Sequence, residues 1–145
     1  MIGLIQRVCR AAVTVEGRQV ARIGAGMLAL IGIEAGDTGQ SALELLERLL
    51  NYRIFADDAG KMNLNLRQIE GELLLVPQFT LVADTHKGTR PGFSRGAPPD
   101  TAEALFRQLV AAAAAQHSHV QSGVFGAHMQ VELVNDGPVT FWLHT

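Results

Sequence analysis

The sequence predicts a single-domain protein of mixed α/β class over residues 1–145, with a mostly antiparallel, barrel-like sheet and two main helices. Three observations predict this fold. Short segments rich in aliphatic and β-branched residues recur along the chain and are separated by turn residues. Two longer segments have the periodicity of amphipathic helices. Hydrophobic residues make up 48% of the chain, which is enough for one sizeable core.

The N-terminal part predicts a hairpin followed by a buried strand. Residues 2–10 and 12–15 are strand-like, residues 16–18 (EGR) form a turn, and residues 19–23 return. Residues 27–33 are a continuous apolar run, which is typical of a strand that is buried on both faces.

Two helices are predicted from capping and periodicity. Ser41 and Glu44 fit a capping box at the start of the first helix. The apolar face of that helix is expected to contain four leucines: Leu43, Leu46, Leu49 and Leu50. Asp100 with Glu103 is expected to cap the second helix, which runs to about Gln116.

The remaining segments predict strands and one long loop. Residues 72–80 are strand-like, and residues 83–100 contain three prolines and three glycines, which predicts a loop. A loop of this length in a compact domain is usually functional or mobile. Residues 129–134 and 139–143 predict two final strands, so antiparallel hairpins are expected at both ends of the chain.

Composition limits the function classes. The net charge is −2, so any contact with nucleic acid must come from a local basic patch. The single cysteine, Cys9, excludes a disulfide framework and is predicted to be buried. There is no apolar run long enough to span a membrane, and the first residues lack the basic region of a secretory signal, which together predict a cytoplasmic protein without membrane contact.

The common hydrolase, nucleotide and metal motifs do not occur. The chain has no nucleophile elbow, no paired zinc-binding histidines on a helix and no glycine-rich phosphate loop, so neither a cofactor nor a metal is predicted. His117 and His119 could share one face of a strand, but solvated histidines after a helix are the better interpretation. His128 is the histidine nearest to motif residues.

The first informative motif is residues 75–81 (LVPQFTL), which place an amide and a hydroxyl in an apolar run. Gln78 must satisfy up to four hydrogen bonds or face solvent, and a position facing the substrate would explain it. Thr80 could act as a nucleophile only with an adjacent base, and no histidine, lysine or carboxylate is near it in the sequence. An ordinary β-branched strand residue is the alternative for Thr80.

The second motif is residues 135–140 (NDGPVT), where Gly137 and Pro138 stand between the two final strands. The ordinary interpretation of such a pair is a turn.

Together the two motifs resemble those of the D-aminoacyl-tRNA deacylase family, and the similarity extends over nearly the whole chain. The family pattern Ser-Gln-Phe-Thr-Leu is matched at Gln78, Phe79 and Thr80, but Pro77 replaces the serine. The pattern Asn-x-Gly-Pro-x-Thr is matched at residues 135–140. Because Pro77 has neither a hydroxyl nor an N–H, it can be neither nucleophile nor donor.

The resemblance implies an activity and site roles. The protein is expected to hydrolyse the ester of D-aminoacyl-tRNA, with backbone N–H groups of Phe79 or Thr80 stabilising the oxyanion. Gly137 and Pro138 are expected to enter the site of the other subunit of a homodimer and to exclude L side chains, and Arg7 is expected to hold this pair in place. Because a steric filter cannot reject a missing side chain, glycyl-tRNA should be cleaved too.

The binding of tRNA is expected at two further sets of residues. Phe125 and Met129 resemble family positions that line the pocket for the 3′-terminal adenosine, and core packing is the alternative for both. Lys87, Arg90 and Arg95 form a small basic cluster in the long loop, where solvated loop charges are the alternative.

Two other functions stay open at this point. Pro77 also resembles a related animal subfamily with a trans Gly-Pro pair, which tolerates L-alanine on a mischarged tRNA. Phe79, Arg7 and the context of Gly137 are closer to the D-specific group. The other function is a non-catalytic nucleic-acid-binding module.

Overall fold

The computed structural model describes all 145 residues, as one domain of mixed α/β class. In chain order the elements are β1 (Ile2–Val15), β2 (Arg18–Ile23), β3 (Gly26–Gly32), α1 (Gly39–Asn51), β4 (Phe55–Ala56), β5 (Met62–Leu64), β6 (Glu72–Pro77), α2 (Pro99–Gln116), β7 (Val120–Ser122) and β8 (Met129–His144). A single 3₁₀ turn, Phe79–Val82, follows β6. The predicted fold class is confirmed. Neither helix is both long enough and apolar enough to cross a membrane.

The long strand β1 organises the sheet. Its C-terminal half forms a hairpin with β2, and Glu16 and Gly17 turn the chain with positive φ values of 49° and 76°. The N-terminal half of β1 pairs antiparallel with β3. Along the opposite edge of β1, the strand β8 pairs with it over the whole length of β1. The N-terminal hairpin is therefore confirmed.

The predicted C-terminal hairpin is wrong. The last residues form one strand, β8, which pairs with β1 from Met129 to His144 instead of folding back on itself. The register shifts opposite Val8, and the Gly137–Pro138 pair lies in this irregular part. Two segments separated by a Gly-Pro pair thus continue along the same partner strand.

The other half of the sheet is parallel. β3 pairs parallel with β6, and β6 pairs parallel with β7. The carboxyl ends of β3 and β6 therefore lie at the same edge, with Ile31 beside Pro77. Ligands commonly bind outside the carboxyl ends of parallel strands.

The sheet has an apolar core on each face. One core lies between β3 and β6 and the two helices, and it includes Met27, Ala29, Leu73, Leu75, Leu45, Leu46, Leu49, Phe106 and Leu109. The other lies beneath the curled β1–β2 hairpin and includes Val8, Ala11, Val13, Ala21, Ile23, Leu28, Leu74 and Val76. Alternate residues of β3 and β6 thus serve opposite cores, as the period of a strand requires. The apolar run predicted for a doubly buried strand is confirmed.

Both helices begin earlier than the capping prediction placed them. Thr38 is the N-cap of α1, and its hydroxyl forms a capping box with Ser41, so the predicted box of Ser41 with Glu44 is wrong. α2 starts at Pro99, and Asp100 lies inside its first turn without a capping bond. Proline suits the first helical position because its φ is already helical and its missing N–H has no helical acceptor there.

Three predictions about single residues are also corrected. Leu43 is 41% exposed, because the buried face of α1 runs through Ala42 and Leu45 instead. Cys9 is exposed, since the register shifts of β1 interrupt the alternation beside Val8. β6 ends at Pro77, so Thr80 lies in the 3₁₀ turn and not on a strand.

Candidate functional site

A cleft of about 590 Å³ opens where β6 ends. Its residues come from the ends of β3 and β6, the 3₁₀ turn, the long loop, α2, the connection between β7 and β8, and the start of β8: Ile31, Ile33, Val76, Pro77, Gln78, Phe79, Val82, Phe93, Gly96, Ala97, Pro99, Ala102, Phe125, Gly126, Ala127, His128, Met129 and Val131. Most of these residues are apolar. His128 is the one ionisable side chain among them.

The first motif lies at the mouth of the cleft. The Gln78 N–H donates to the Ile31 carbonyl at 2.7 Å, which extends the β3–β6 pairing by one residue past Pro77. After this bond the chain leaves the sheet and turns, with the Leu81 N–H bonded to the Gln78 carbonyl. Phe79 and Thr80 begin the turn, and the first N–H groups of a helical turn have no acceptor within it.

The side chains of the motif contact each other. The Gln78 amide nitrogen donates to the Thr80 hydroxyl oxygen. An amide donor occupies a lone pair of the hydroxyl and cannot accept its proton, so this contact does not activate Thr80 as a nucleophile. Phe79 is 65% exposed, and its ring lies 5.1 Å from the ring of Phe93.

The long loop, residues 83–98, forms one wall of the cleft and is fixed at its base. The Ala35 N–H donates to the Arg95 carbonyl, and the Ala97 N–H donates to the Ile33 carbonyl, both at 3.0 Å. The Glu34 carboxylate lies 3.3 Å from the Arg95 guanidinium. Phe93 therefore projects from a stem that is bonded to the end of β3.

Glu34 also binds the end of β8. Its second carboxylate oxygen lies 2.7 Å from Nε2 of His144 and 3.6 Å from the N-terminal amine of Met1. Burial raises the pKa of Glu34, but the hydrogen bond and charge of His144, the terminal amine and Arg95 outweigh it, so the pKa lies below the usual 4.5. Glu34 was not recognised from the sequence, which gives no local signal for these contacts.

Phe125 and Met129 line the cleft and also contact the core. The Phe125 ring lies 6.3 Å from that of Phe106 in the helix-side core. The Met129 sulfur accepts from the Val124 N–H at 3.4 Å. Both residues are half-buried. One side of each residue lines the cleft, and the other side packs against the core.

The second motif lies away from this cleft. The Gly137–Pro138 peptide bond is cis, and Gly137 has a φ of 129°. Arg7 lies beneath this segment, with Nε 2.9 Å from the Asp136 carboxylate and Nη1 2.7 Å from the Ile54 carbonyl. The Asn135 amide oxygen accepts from the Val139 N–H at 2.9 Å. Gly137 and Pro138 do not line the cleft of their own chain.

The basic cluster of the loop is dispersed. Lys87 and Arg90 are exposed and have no carboxylate within 4.0 Å, whereas Arg95 is paired with Glu34. None of the three lines the cleft. His117 contacts the Gly71 carbonyl at 2.6 Å, and no group of three histidine, cysteine, aspartate or glutamate side chains is arranged to hold a metal ion.

The structure also brings one unexpected aromatic to the site. Phe93 lines the cleft and packs on Phe79, although the sequence analysis gave it no role. An exposed aromatic residue inside a proline- and glycine-rich loop is the signal that could have identified it.

A mixed sheet with a largely apolar, motif-lined cleft at its carboxyl edge defines a small α/β protein with a candidate ligand site at that edge. The family model for D-Tyr-tRNA(Tyr) deacylase matches residues 4–144. The chain therefore belongs to this deacylase family.

Individual relatives agree with the family model. The chain is 59% identical to a D-aminoacyl-tRNA deacylase of Pectobacterium atrosepticum over the full length of both, and 59% identical to one of Escherichia coli over 99% of each. Among solved structures, the c-Myc DNA Unwinding Element Binding Protein is 36% identical, with a TM-score of 0.95 over 100% of this chain and 99% of that one. A probable eukaryotic D-amino acid tRNA deacylase, at 18% identity, shares the fold with a TM-score of 0.87 over 98% and 97% of the two chains.

These matches confirm the predicted family. They also confirm the predicted enzyme class, a hydrolase of the ester bond of D-aminoacyl-tRNA.

Proposed function

We propose that the protein removes D-amino acids from tRNA in the cytoplasm and spares L-aminoacyl-tRNA, acting as a homodimer. The observation that carries this proposal is the separation of the two motifs. Residues 76–79 of the first motif line a cleft, and the Gly137–Pro138 segment lies elsewhere on the same chain. If both act on one substrate, the second motif must come from another copy.

The cleft is suited to an ester that needs little acid–base help. An aminoacyl ester is already activated, and the ionisable group at the wall is limited to His128. The N–H groups of Phe79 and Thr80 stabilise the oxyanion, and one such donor contributes about 3 kcal/mol. The 2′-hydroxyl of the terminal adenosine orients the attacking water, which makes the reaction specific for RNA.

Pro77 is compatible with this arrangement. It replaces the serine of the family pattern, but the Gln78 N–H that follows it is already used by the Ile31 carbonyl. The donors proposed for the oxyanion lie one and two residues further along, in the turn. The loss of a hydroxyl and an N–H at Pro77 therefore removes no group that the proposed reaction uses.

Chiral selection is assigned to Gly137 and Pro138 of the second copy. Their backbone occupies the space that an L side chain would need, while a D side chain points outward. Arg7 supports the proposal because it bonds the Asp136 carboxylate on one side and the Ile54 carbonyl on the other, which fixes the segment. Glycyl-tRNA passes such a filter and is cleaved.

The terminal adenosine is assigned to the wall formed by Phe125 and Met129. Both are half-buried, so one side of each residue contacts the core and the other is available to a base. Lys87 and Arg90 are free to contact phosphates, whereas Arg95 contributes through the loop that it anchors.

The test is the hydrolysis of D-tyrosyl-, L-tyrosyl- and glycyl-tRNA by the purified protein, with sedimentation velocity on the same sample. Release of D-tyrosine and glycine with L-tyrosine retained, by a dimer, supports the proposal. Release of L-tyrosine as well would indicate the relaxed subfamily that Pro77 also resembles. A monomer that still discriminates D from L would contradict the role of the second copy.

A second candidate is a module that binds nucleic acid without catalysis. One observation favours it: the solved structure with a TM-score of 0.95 is named as a DNA-unwinding-element-binding protein. Such a module would bind nucleic acid with a steep dependence on salt and release no amino acid from charged tRNA. Retention of all three esters under conditions where tRNA binds would establish it.

A further inference from the structure

We propose that the outer face of β1, β2 and β8 carries a second tRNA contact, a groove that holds phosphates of the nucleotides preceding the terminal adenosine. The inference rests on the proposed function, since it extends the substrate site. The groove encloses about 560 Å³ and lies outside the cleft already described.

The pairing of the strands explains why a groove forms. Ala12 is opposite Arg22 on β2 and opposite Glu132 on β8. Its small side chain forms the floor, and the longer side chains of both neighbours form the walls. Arg10 lies two residues away on the same face of β1, because side chains alternate along a strand.

The charges of the groove are unpaired. Arg10 and Arg22 are exposed, and neither guanidinium has a carboxylate within 4.0 Å, although Glu132 lines the same groove. By contrast, Arg95 and Arg107 are both engaged in ion pairs. Arg10 lies on β1 and Arg22 on the neighbouring strand β2, so two free guanidinium groups line the groove. Each presents a fork of N–H donors that matches the oxygens of a phosphate.

The groove adjoins the proposed active site. Val131 lines both the groove and the cleft, so the two depressions share one residue of β8. In this proposal, a strand of RNA with its terminal nucleoside in the cleft runs past Val131 and brings its preceding phosphates to Arg10 and Arg22. The chain carries a net charge of −2, so such a contact requires a local cluster of this kind.

The experiment compares Arg10→Gln, Arg22→Gln and the double variant with wild-type protein on two substrates. One substrate is D-tyrosyl-tRNA, and the other is D-tyrosyl-adenosine, which has the ester and the terminal nucleoside but no phosphate. Arg107→Gln is the matched control, because it removes one exposed arginine on α2 that lines neither depression.

We expect the double variant to have a higher KM for D-tyrosyl-tRNA with unchanged kcat, and unchanged kinetics on D-tyrosyl-adenosine. Loss of two phosphate contacts to single-stranded RNA should make the plot of log affinity against log salt less steep by about 1.4. With equal affinities at about 1 M salt, this corresponds to roughly a 25-fold loss of affinity at about 0.1 M salt. Glu132→Gln should act in the opposite direction and lower the KM for the tRNA substrate, because it removes the negative charge from the groove.

Failure of this inference is distinguishable from failure of the proposed function. If wild-type protein does not cleave D-tyrosyl-tRNA, the proposed function is wrong. If it cleaves and the double variant keeps the wild-type KM and salt slope, the groove does not bind the substrate. A change in oligomeric state in the double variant, measured by sedimentation velocity, would show instead that this face is an interface between copies and would also overturn the inference.

Discussion

The guanidinium of Arg7 lies against Asp136, with Nε 2.9 Å from the carboxylate and 3.2 Å from the Asp136 carbonyl. Arg7 is 16% exposed and Asp136 is 51% exposed, so the ion pair is only partly shielded from solvent. On the opposite side Nη1 donates to the Ile54 carbonyl. The planar guanidinium thus joins the segment before Gly137 to the chain that follows α1.

We predict that Arg7→Lys loses discrimination before it loses hydrolysis. A lysine keeps the charge, but its three N–H donors share one nitrogen, so it cannot reach Asp136 and the Ile54 carbonyl on opposite sides together. The expected cost is about 2 kcal/mol of folding stability, together with a lower ratio of D-tyrosyl- to L-tyrosyl-tRNA cleavage. Asp136→Asn retains the carbonyl contact and should have a smaller effect on both. An unchanged D-to-L ratio in Arg7→Lys would exclude the positioning role.

Gly26 lies against the backbone of Glu72, its partner at the start of β6. A Cβ atom added there would lie 1.9 Å from the Glu72 carbonyl oxygen and 2.6 Å from its nitrogen. Because the obstacle is backbone, the parallel pair must separate to accept even a methyl group. We predict that Gly26→Ala costs more than about 3 kcal/mol in urea denaturation. Gly36→Ala is the matched control, since its added methyl meets nothing within 4 Å. A loss below about 1 kcal/mol would mean that the two strands are less closely paired than described.

The helix-start error shows where local sequence becomes ambiguous. Thr38, Ser41 and Glu44 are each three residues apart, so two capping boxes are possible from the sequence. The Ser41 N–H donates to the Thr38 hydroxyl, and the Ser41 hydroxyl oxygen accepts from the Thr38 N–H, so only the earlier box forms. The choice depends on where the chain emerges from the preceding turn, which the Asp37 N–H closes on the Glu34 carbonyl. This turn is bonded to the loop at Ala35, so tertiary contacts select the cap.

The site was predictable in composition but not in arrangement. The motif around Gln78 was identified, but the apolar residues on both sides of it concealed the end of β6. The strand ends where Ile31 provides its last acceptor, and a partner strand cannot be seen in the local sequence. Phe93 lines the cleft, and Glu34 anchors the loop that carries Phe93. Both positions depend on contacts between segments that are distant in the chain. The separation of Gly137 from the cleft is likewise a property of the folded chain.

Thr80→Ala should retain activity. The Thr80 hydroxyl accepts a hydrogen bond from the Gln78 amide, and there is no base in contact with it. The backbone N–H proposed as the oxyanion donor remains in the variant. We therefore expect D-tyrosyl-tRNA cleavage to fall by less than about tenfold, against the roughly 10⁶-fold loss that follows removal of a catalytic nucleophile.

A large loss of activity in Thr80→Ala would contradict this prediction. Near-complete loss in Thr80→Ala, with an unchanged melting temperature and recovery in Thr80→Ser, would make the hydroxyl catalytic. His128→Gln should accompany both variants, because His128 is the ionisable side chain of the cleft. If its removal also abolishes activity, the two side chains act as a nucleophile and its base, and the reaction does not rely on backbone donors alone.

Glu34 predicts a specific dependence of stability on acidity. Its pKa is lowered in the folded protein, since burial raises it less than His144, the terminal amine and Arg95 lower it. The folded state therefore releases this proton more readily than the unfolded state, and stability rises with pH. The contribution of the Glu34 carboxylate to folding stability is complete above the usual pKa of 4.5 and is lost as the pH falls through the lower folded pKa.

Glu34→Gln should cost about 1–2 kcal/mol of folding stability at pH near 7, and the difference in stability from wild type should close towards pH of about 3. Urea denaturation across this range measures both, with Glu44→Gln on the exposed face of α1 as the control. A gap that stays constant with pH would show that Glu34 stabilises the loop by packing and not by its charge.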